Sequence, residues 1–408
     1  MSAPCAWLTV SLASVLVAGT LAGCGTSGAP KVRLTASPAV ALWDRSRTIV
    51  VTNLHGDDRV TLRARTSLPS GLWSSSATFR ANGRGTVDVA RQAPMSGSYS
   101  GVSPMGLLWS EKLAKRRSGP LNGKATTTIS ARVAGRTVAS TRLTQLLNGP
   151  GVRAHRETVG STGFYGVYYS PTQTSARAPA VVLWGGSEGD LSPASEAGLL
   201  ASHGIPALAL AYFDDPGLPC RLQDIPLEYF VKAIKWLRRQ PQVDPRRIWI
   251  MSASRGTEAE LLVAAHFPTL VHDLVAVSPS EYVLGAYHGR CQTAGGRDRT
   301  PAWSLTGKPI PPSTVVPVHR ITANLLLIAG GDDTVWPSYV QAPRILAGLP
   351  HSGAVHRYLY YAHVGHIALN IPYSPIANAV LGAGGTVASD SHAWISDWPA
   401  TIEFITSH

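Results

Sequence analysis

The sequence predicts a two-domain chain: an antiparallel β-sandwich followed by an α/β domain on a mainly parallel sheet. Three observations predict it. At 408 residues the chain exceeds one ordinary domain. Up to about residue 150, apolar and polar residues alternate with period two; beyond it, continuous apolar runs alternate with amphipathic ones. The composition, 44% hydrophobic and 15% charged, excludes a disordered or fibrous chain. Beyond the N-terminus no apolar run is long enough for a polytopic membrane protein.

Residues 1–23 read as a signal peptide and 24–34 as a tether. Residues 1–30 carry no Lys, Arg, Asp or Glu, and Trp7 to Gly19 is an apolar run too short to span a bilayer comfortably. Leu21-Ala22-Gly23-Cys24 resembles the lipobox of bacterial lipoproteins. That resemblance implies Cys24 as the lipid attachment site. It also implies export, with anchoring to the outer face of the bacterial cytoplasmic membrane or to the cell envelope. Export would leave Cys220 and Cys291 in the mature body, where an oxidising compartment permits a disulfide between them; two buried free thiols are the alternative. The cysteines show no CxxC spacing, which argues against a thiolate zinc site, and the reading calls for no metal and no cofactor.

Residues 35–150 form the predicted sandwich, of immunoglobulin-like type. Runs such as RTIVVTNL, RVTLRART and TTTISARVAG are separated by Gly, Pro, Asn and Asp at about ten-residue spacing. The net charge of +12 is concentrated here: residues 31–150 hold 18 Lys and Arg against 5 Asp and Glu, and the remainder is nearly neutral. Such an excess fits a membrane surface, an anionic envelope polymer or a phosphorylated substrate, or else a merely solvated face. No nucleic-acid-binding signature is present, so nucleic acid is not an expected partner.

Residues 151–408 form the predicted α/β domain. PAVVLWGG reads as a strand buried on both faces, SPASEAGLLASHG as a helix, and IPALALAYF as the next strand. PLEYFVKAIKWLRRQP is amphipathic, with Leu227, Phe230, Val231, Ile234 and Leu237 on one stripe. RRIWIMSAS, GTEAELLVAAHF, LVHDLVAVS and ANLLLIAGG continue the alternation, ending at the last clear strand.

The chemistry-bearing residues sit where these strands end. Ser252-Ala253-Ser254-Arg255-Gly256 lies between a strand and a helix, the place of a nucleophile elbow, with Ser252 where the usual first glycine stands. Asp332-Asp333-Thr334-Val335-Trp336-Pro337 follows a later strand, and His363-Val364-Gly365-His366 comes after it. The order Ser, Asp, His is that of α/β-hydrolases. A serine hydroxyl needs an imidazole to take its proton, and the imidazole needs a carboxylate to fix its tautomer. Asp333 is preferred to Asp332 because its spacing to Val335 and Pro337 matches the hydrolase pattern. His366 is preferred to His363 because Gly365 lets the loop approach the elbow. The oxyanion hole is assigned to the backbone N–H groups of Arg255 and Ser187, the latter in Gly185-Gly186-Ser187.

The segment Ser98 to Ser110, SYSGVSPMGLLWS, resembles the SYxGVxPMGLLWS signature of the acyl-CoA thioesterase / bile acid-CoA:amino acid N-acyltransferase family. FRANGRGTVDVAR, PLEYFVKAIKWL, IAGGDDTVW and GHIALNIPYSP echo it in the same order, from about residue 40 to 375. The resemblance implies an N-terminal β-sandwich, a C-terminal α/β-hydrolase, and Ser254, Asp333 and His366 as the triad. In that family the amino acid transferases use Cys at the elbow and the thioesterases Ser, so Ser254 favours hydrolysis. Residues 279–320 are the expected lid over the acyl pocket.

The leading expectation is a serine hydrolase that cleaves acyl thioesters or esters through an acyl-serine intermediate, held at a membrane surface by its lipid anchor and basic domain. The alternatives are an acyltransferase or carboxylesterase acting on envelope lipids, and a non-catalytic envelope-binding lipoprotein, which the replacement of glycine by Ser252 favours.

Overall fold

Sheet pairing organises the chain around two sheet systems, followed here in a computed structural model. It describes residues 30–116, 123–173, 176–287, 297–375 and 382–408. Cys24 and Cys291, and with them the predicted lipid site and one half of the predicted disulfide, lie outside these residues; Cys220 is disulfide-bonded.

The first system is a pair of sheets. Strands Arg33–Ser37, Thr48–Thr52 and Val87–Asp88 form the smaller one. The larger has seven strands, centred on Arg59–Leu68, Gly71–Arg80, Lys124–Val133 and Arg136–Leu146. Alternation sets the packing: Val60, Leu62 and Ala64 point inward and meet Ile49 and Val51 of the smaller sheet in one apolar core. The sheets are not wholly antiparallel as expected, because Val40–Leu42 runs parallel to Arg136–Leu146.

The second system is one eight-stranded sheet in the order 152–157, 165–171, 207–211, 178–184, 243–253, 273–277, 324–330, 356–361. The first two pairings are antiparallel and the rest parallel. The central strands are apolar throughout because both faces are covered. Ala180, Val182 and Trp184 face the helices Leu227–Leu237 and Gly256–His266. Val181 and Leu183 face the helices Ala194–Ser202 and Val387–Ser407, together with Trp43, Leu68, Trp73 and Leu147 from the first system. Val32–His408 accordingly forms one compact unit. The parallel strands ending at Trp184, Ala253, Val277, Gly330 and Tyr361 all deliver their carboxyl ends to one edge, where an α/β sheet of this kind places its site. Among the described residues no helix is long and apolar enough to cross a membrane.

Candidate active site

The strand Val243–Ala253 turns into the helix Gly256–His266 through Ser254, whose φ of 56° lies in the left-handed region. Its N–H donates to the Val277 carbonyl at 2.9 Å, which holds the strained turn against the next strand. Ser254 Oγ lies 2.8 Å from His366 Nε2, and His366 Nδ1 lies 2.9 Å from Asp333 Oδ2. Three residues far apart in sequence thus form one hydrogen-bonded chain.

Each member is fixed by its neighbours. The fully buried Asp333 carboxylate accepts the N–H groups of Val335 (2.9 Å) and Trp336 (3.2 Å) and the Ser338 hydroxyl (2.6 Å). These donors hold the carboxylate in place with Oδ2 aimed at the imidazole. The Trp336 ring stands edge-on to His366 at 4.7 Å. The His366 N–H donates to Ala383 O at 2.8 Å, its carbonyl accepts the Ser278 hydroxyl, and the Gly365 N–H donates to Asp390 at 3.1 Å. At Gly330 a Cβ would come within 2.2 Å of the Val364 carbonyl, so glycine lets the Asp and His loops touch. The two residues passed over in the sequence, Asp332 and His363, face each other instead on the surface at 3.6 Å.

The opposite side of Ser254 is the loop Gly185-Gly186-Ser187. The Gly186 N–H donates to Glu188 Oε1 at 2.9 Å, and the buried Tyr212 hydroxyl donates to the Gly186 carbonyl. A trans peptide carries its N–H opposite its C=O. Anchoring the Gly186 carbonyl on the core side therefore turns the Ser187 N–H towards the cavity, which Ser187 and Ser254 both line. A Cβ on Gly186 would stand 2.7 Å from the Ser254 Cβ, so the loop backbone passes directly over the hydroxyl. Arg255 begins the helix at whose N-terminus backbone N–H groups and the helix dipole favour a developing anion. The Arg255 side chain points away from the cavity. It is buried, pairs with Glu258 at 2.6 Å, and donates to Gly285 O at 2.8 Å. Glu258 also accepts Trp303 Nε1 (2.8 Å) and the Leu284 N–H (3.0 Å).

The hydroxyl opens on a cavity of about 710 Å³. Its walls are apolar: Leu183, Met251, Val277 and Leu369 from the α/β part, and Trp43, Leu68 and Leu147 from the N-terminal sheets. Here the expectation for residues 279–320 is corrected. None of the described residues in that segment lines the cavity; Trp303 and Leu284 are instead tied by Glu258 to the far side of the elbow. Two acids share the cavity wall, Glu188 and Glu196. Burial, reinforced by Glu188, pushes the Glu196 carboxyl up to about 7, and its Oε2 has no hydrogen-bond partner. Among the described residues no group of three His, Cys, Asp or Glu side chains is arranged to hold a metal.

Sequence reasoning missed Tyr212, Glu188, Ser278, Ser338 and Asp390. Tyr212 follows the strand Ala207–Ala211, and Ser278 follows Asp273–Val277. A polar residue just past the carboxyl end of a buried parallel strand was the available signal.

Two family models match in order along the chain. The acyl-CoA thioester hydrolase/BAAT N-terminal region matches residues 44–158, and the BAAT/acyl-CoA thioester hydrolase C-terminal model matches 225–294 and 292–408, BAAT being bile acid-CoA:amino acid N-acyltransferase. The chain belongs to this family. Among its relatives, the mouse acyl-coenzyme A amino acid N-acyltransferase 1 is 28% identical over 92% of this chain and 98% of its own. The human mitochondrial acyl-coenzyme A thioesterase 2 is 26% identical over 90% and 82%, and the mouse peroxisomal succinyl-coenzyme A thioesterase 27% identical over 90% and 94%. Hydrolases and acyltransferases of the family therefore match this chain about equally well.

Proposed function

We propose that this protein is a serine hydrolase that cleaves acyl thioesters of the acyl-CoA type through an acyl-Ser254 intermediate. The observation that carries the reading is the Ser254–His366–Asp333 chain, with links of 2.8 and 2.9 Å, opening on an apolar cavity of about 710 Å³. His366 Nε2 takes the hydroxyl proton as Ser254 Oγ bonds to the thioester carbonyl carbon. Asp333 holds the imidazole in the tautomer that can accept it. The resulting oxyanion meets the N–H groups of Ser187 and Arg255. Collapse of that intermediate breaks the C–S bond, and the imidazolium proton leaves with the thiol. Water then gives a proton to His366, attacks the acyl ester, and releases the carboxylic acid as Ser254 recovers its proton. The acyl chain occupies the cavity between Leu183, Met251 and the N-terminal Trp43 and Leu147.

Ser254 at the elbow favours water over an amine as acceptor, because an acyl-serine ester is readily completed by water. The chain acts, in this reading, as an exported lipoprotein anchored through Cys24. Ser254→Ala tests the mechanism: it should lower turnover of acyl-CoA thioesters by at least about 10⁴-fold and abolish fluorophosphonate labelling while the protein stays folded. Retention of more than about a hundredth of the rate would remove Ser254 from the mechanism. Products measured with and without added glycine separate hydrolysis from transfer.

A further inference from the structure

Five cations of the N-terminal region, Arg63, Arg65, Lys112, Arg132 and Arg142, share one sheet face. Strand register sets them out in rows across the larger sheet. Arg65 stands opposite Thr128 on one side and Ser74 on the other, and the row continues to Arg142 and Lys112. In the next row Arg63 lies between Ser130 and Ser76, and in the one after it Thr61 lies between Arg132 and Thr78. Side chains alternate along a strand, so these face outward while Val60, Leu62 and Ala64 fill the core. Arg63, Lys112 and Arg132 converge with Thr61, Ser74 and Ser76 on a shallow depression of about 400 Å³.

The carboxylates of residues 31–150 are kept off this face. Asp44 pairs with His203 and its side chain is buried, as is Glu111. Asp58 and Asp88 accept the N–H groups of His55 (2.9 Å) and Ala90 (3.0 Å) within turns. Asp57 reaches only the margin, meeting Arg80 at 3.6 Å. Like charges on one sheet face repel, so the array costs the fold stability unless an anionic partner offsets it.

We propose that the outer face of this sheet docks on an anionic lipid bilayer. The cations extend beyond the depression across about five strands at ~4.8 Å spacing, a spread that suits a layer of phosphate headgroups better than a single small anion. Serine and threonine hydroxyls between the cations can donate to phosphate oxygens. The outward positions of Arg59–Leu68 and Gly71–Arg80 carry no aromatic ring on which a nucleic acid base could stack. The turn of this same hairpin, Leu68-Pro69-Ser70, lines the catalytic cavity, so the docking face and the cavity share one structural element. The inference stands whichever acyl compound is cleaved.

Co-sedimentation of residues 32–408, the compact unit without the apolar N-terminal segment and Cys24, with vesicles of phosphatidylcholine, with and without phosphatidylglycerol, tests it. Binding should need the anionic lipid, fall away at about 1 M NaCl, and weaken by about 100-fold in Arg63→Ser/Lys112→Ser/Arg132→Ser. A charge-matched control, Lys232→Ser/Lys235→Ser/Arg239→Ser on and just beyond the helix Leu227–Leu237, should bind like the unaltered protein. Hydrolysis of a soluble short-chain p-nitrophenyl ester should be the same in all three proteins, which shows that they are folded and reads the catalytic proposal separately. Equal binding to neutral and anionic vesicles, or equal loss in both triple variants, would overturn the proposal. So would saturable binding of inorganic phosphate by the same residues without vesicle binding.

Discussion

Tyr212→Phe isolates the contribution of one hydroxyl to the oxyanion side of the site. The ring is fully buried among Phe213, Phe230 and Trp303, at centroid distances of 5.1, 5.5 and 5.7 Å, and phenylalanine keeps those contacts. What is lost is the donor to the Gly186 carbonyl and its weaker 3.2 Å contact with Gly185 O. The Gly186 carbonyl keeps the Gly189 N–H at 3.2 Å, so losing the hydroxyl donor costs about 1 kcal/mol of stability, which a 408-residue protein can absorb. The catalytic effect is separable from this. Complete removal of one oxyanion donor typically costs about 10²–10³ in kcat. Here the Ser187 N–H remains and only its orientation is released, so kcat for a soluble acyl thioester should fall about tenfold. KM should barely change, because the oxyanion exists only in the transition state. Affinity for a trifluoromethyl ketone that mimics the tetrahedral intermediate should fall by a similar factor. A kcat within about twofold of the unaltered enzyme, alongside a measurable loss of stability, would reduce Tyr212 to a structural residue and refute the reasoning.

Gly186→Ala places a methyl group 2.7 Å from the Ser254 Cβ; thioester turnover should fall about 100-fold, and the clash should lower the melting temperature by a few degrees. Glu258→Gln leaves the Arg255 guanidinium buried without its counter-charge, and should cost about 3–5 kcal/mol in denaturant unfolding. Glu196 gives a pH signature. Its folded carboxyl titrates at about 7, above the ordinary value of 4.5, so the folded state holds the extra proton and stability declines as pH rises from about 4.5 through 7. Glu196→Gln should therefore raise the melting temperature by about 2 °C at pH 8 and leave it unchanged at pH 4, as read by differential scanning fluorimetry.

The parts of the fold legible in the sequence are those whose burial is uniform. Ala178–Trp184 and Asn324–Gly330 are apolar on both faces and read as central strands without ambiguity. The edge strand His356–Tyr361 escapes such a reading because Tyr358, Leu359 and Tyr361 are half-buried while Arg357 and Tyr360 are exposed, which leaves neither an apolar run nor strict alternation. Val387–Ser407 escapes it for a related reason: Pro399 and scattered polar residues interrupt its apolar stripe. At the site, Ser254, Asp333 and His366 are legible through chain order and strand ends. The cavity wall is not, because Trp43 and Leu147 meet Leu183 and Met251 only once the sheets have packed. No local pattern records a contact made across that distance.

The serine standing in place of the elbow's usual glycine is accounted for by what lies behind the turn. Ser252 is buried, and its hydroxyl donates to Glu260 on the helix that follows the elbow. Burial pushes the Glu260 carboxyl well above the usual carboxylate range, which favours a neutral hydrogen-bond partner over a counter-charge. Ser252 supplies one. The polar pair belongs to the packing under the turn, and Ser254 keeps both its left-handed backbone and its 2.8 Å link to His366. The substitution that most favoured a protein without turnover therefore leaves the elbow geometry intact, and the weight of that alternative falls accordingly.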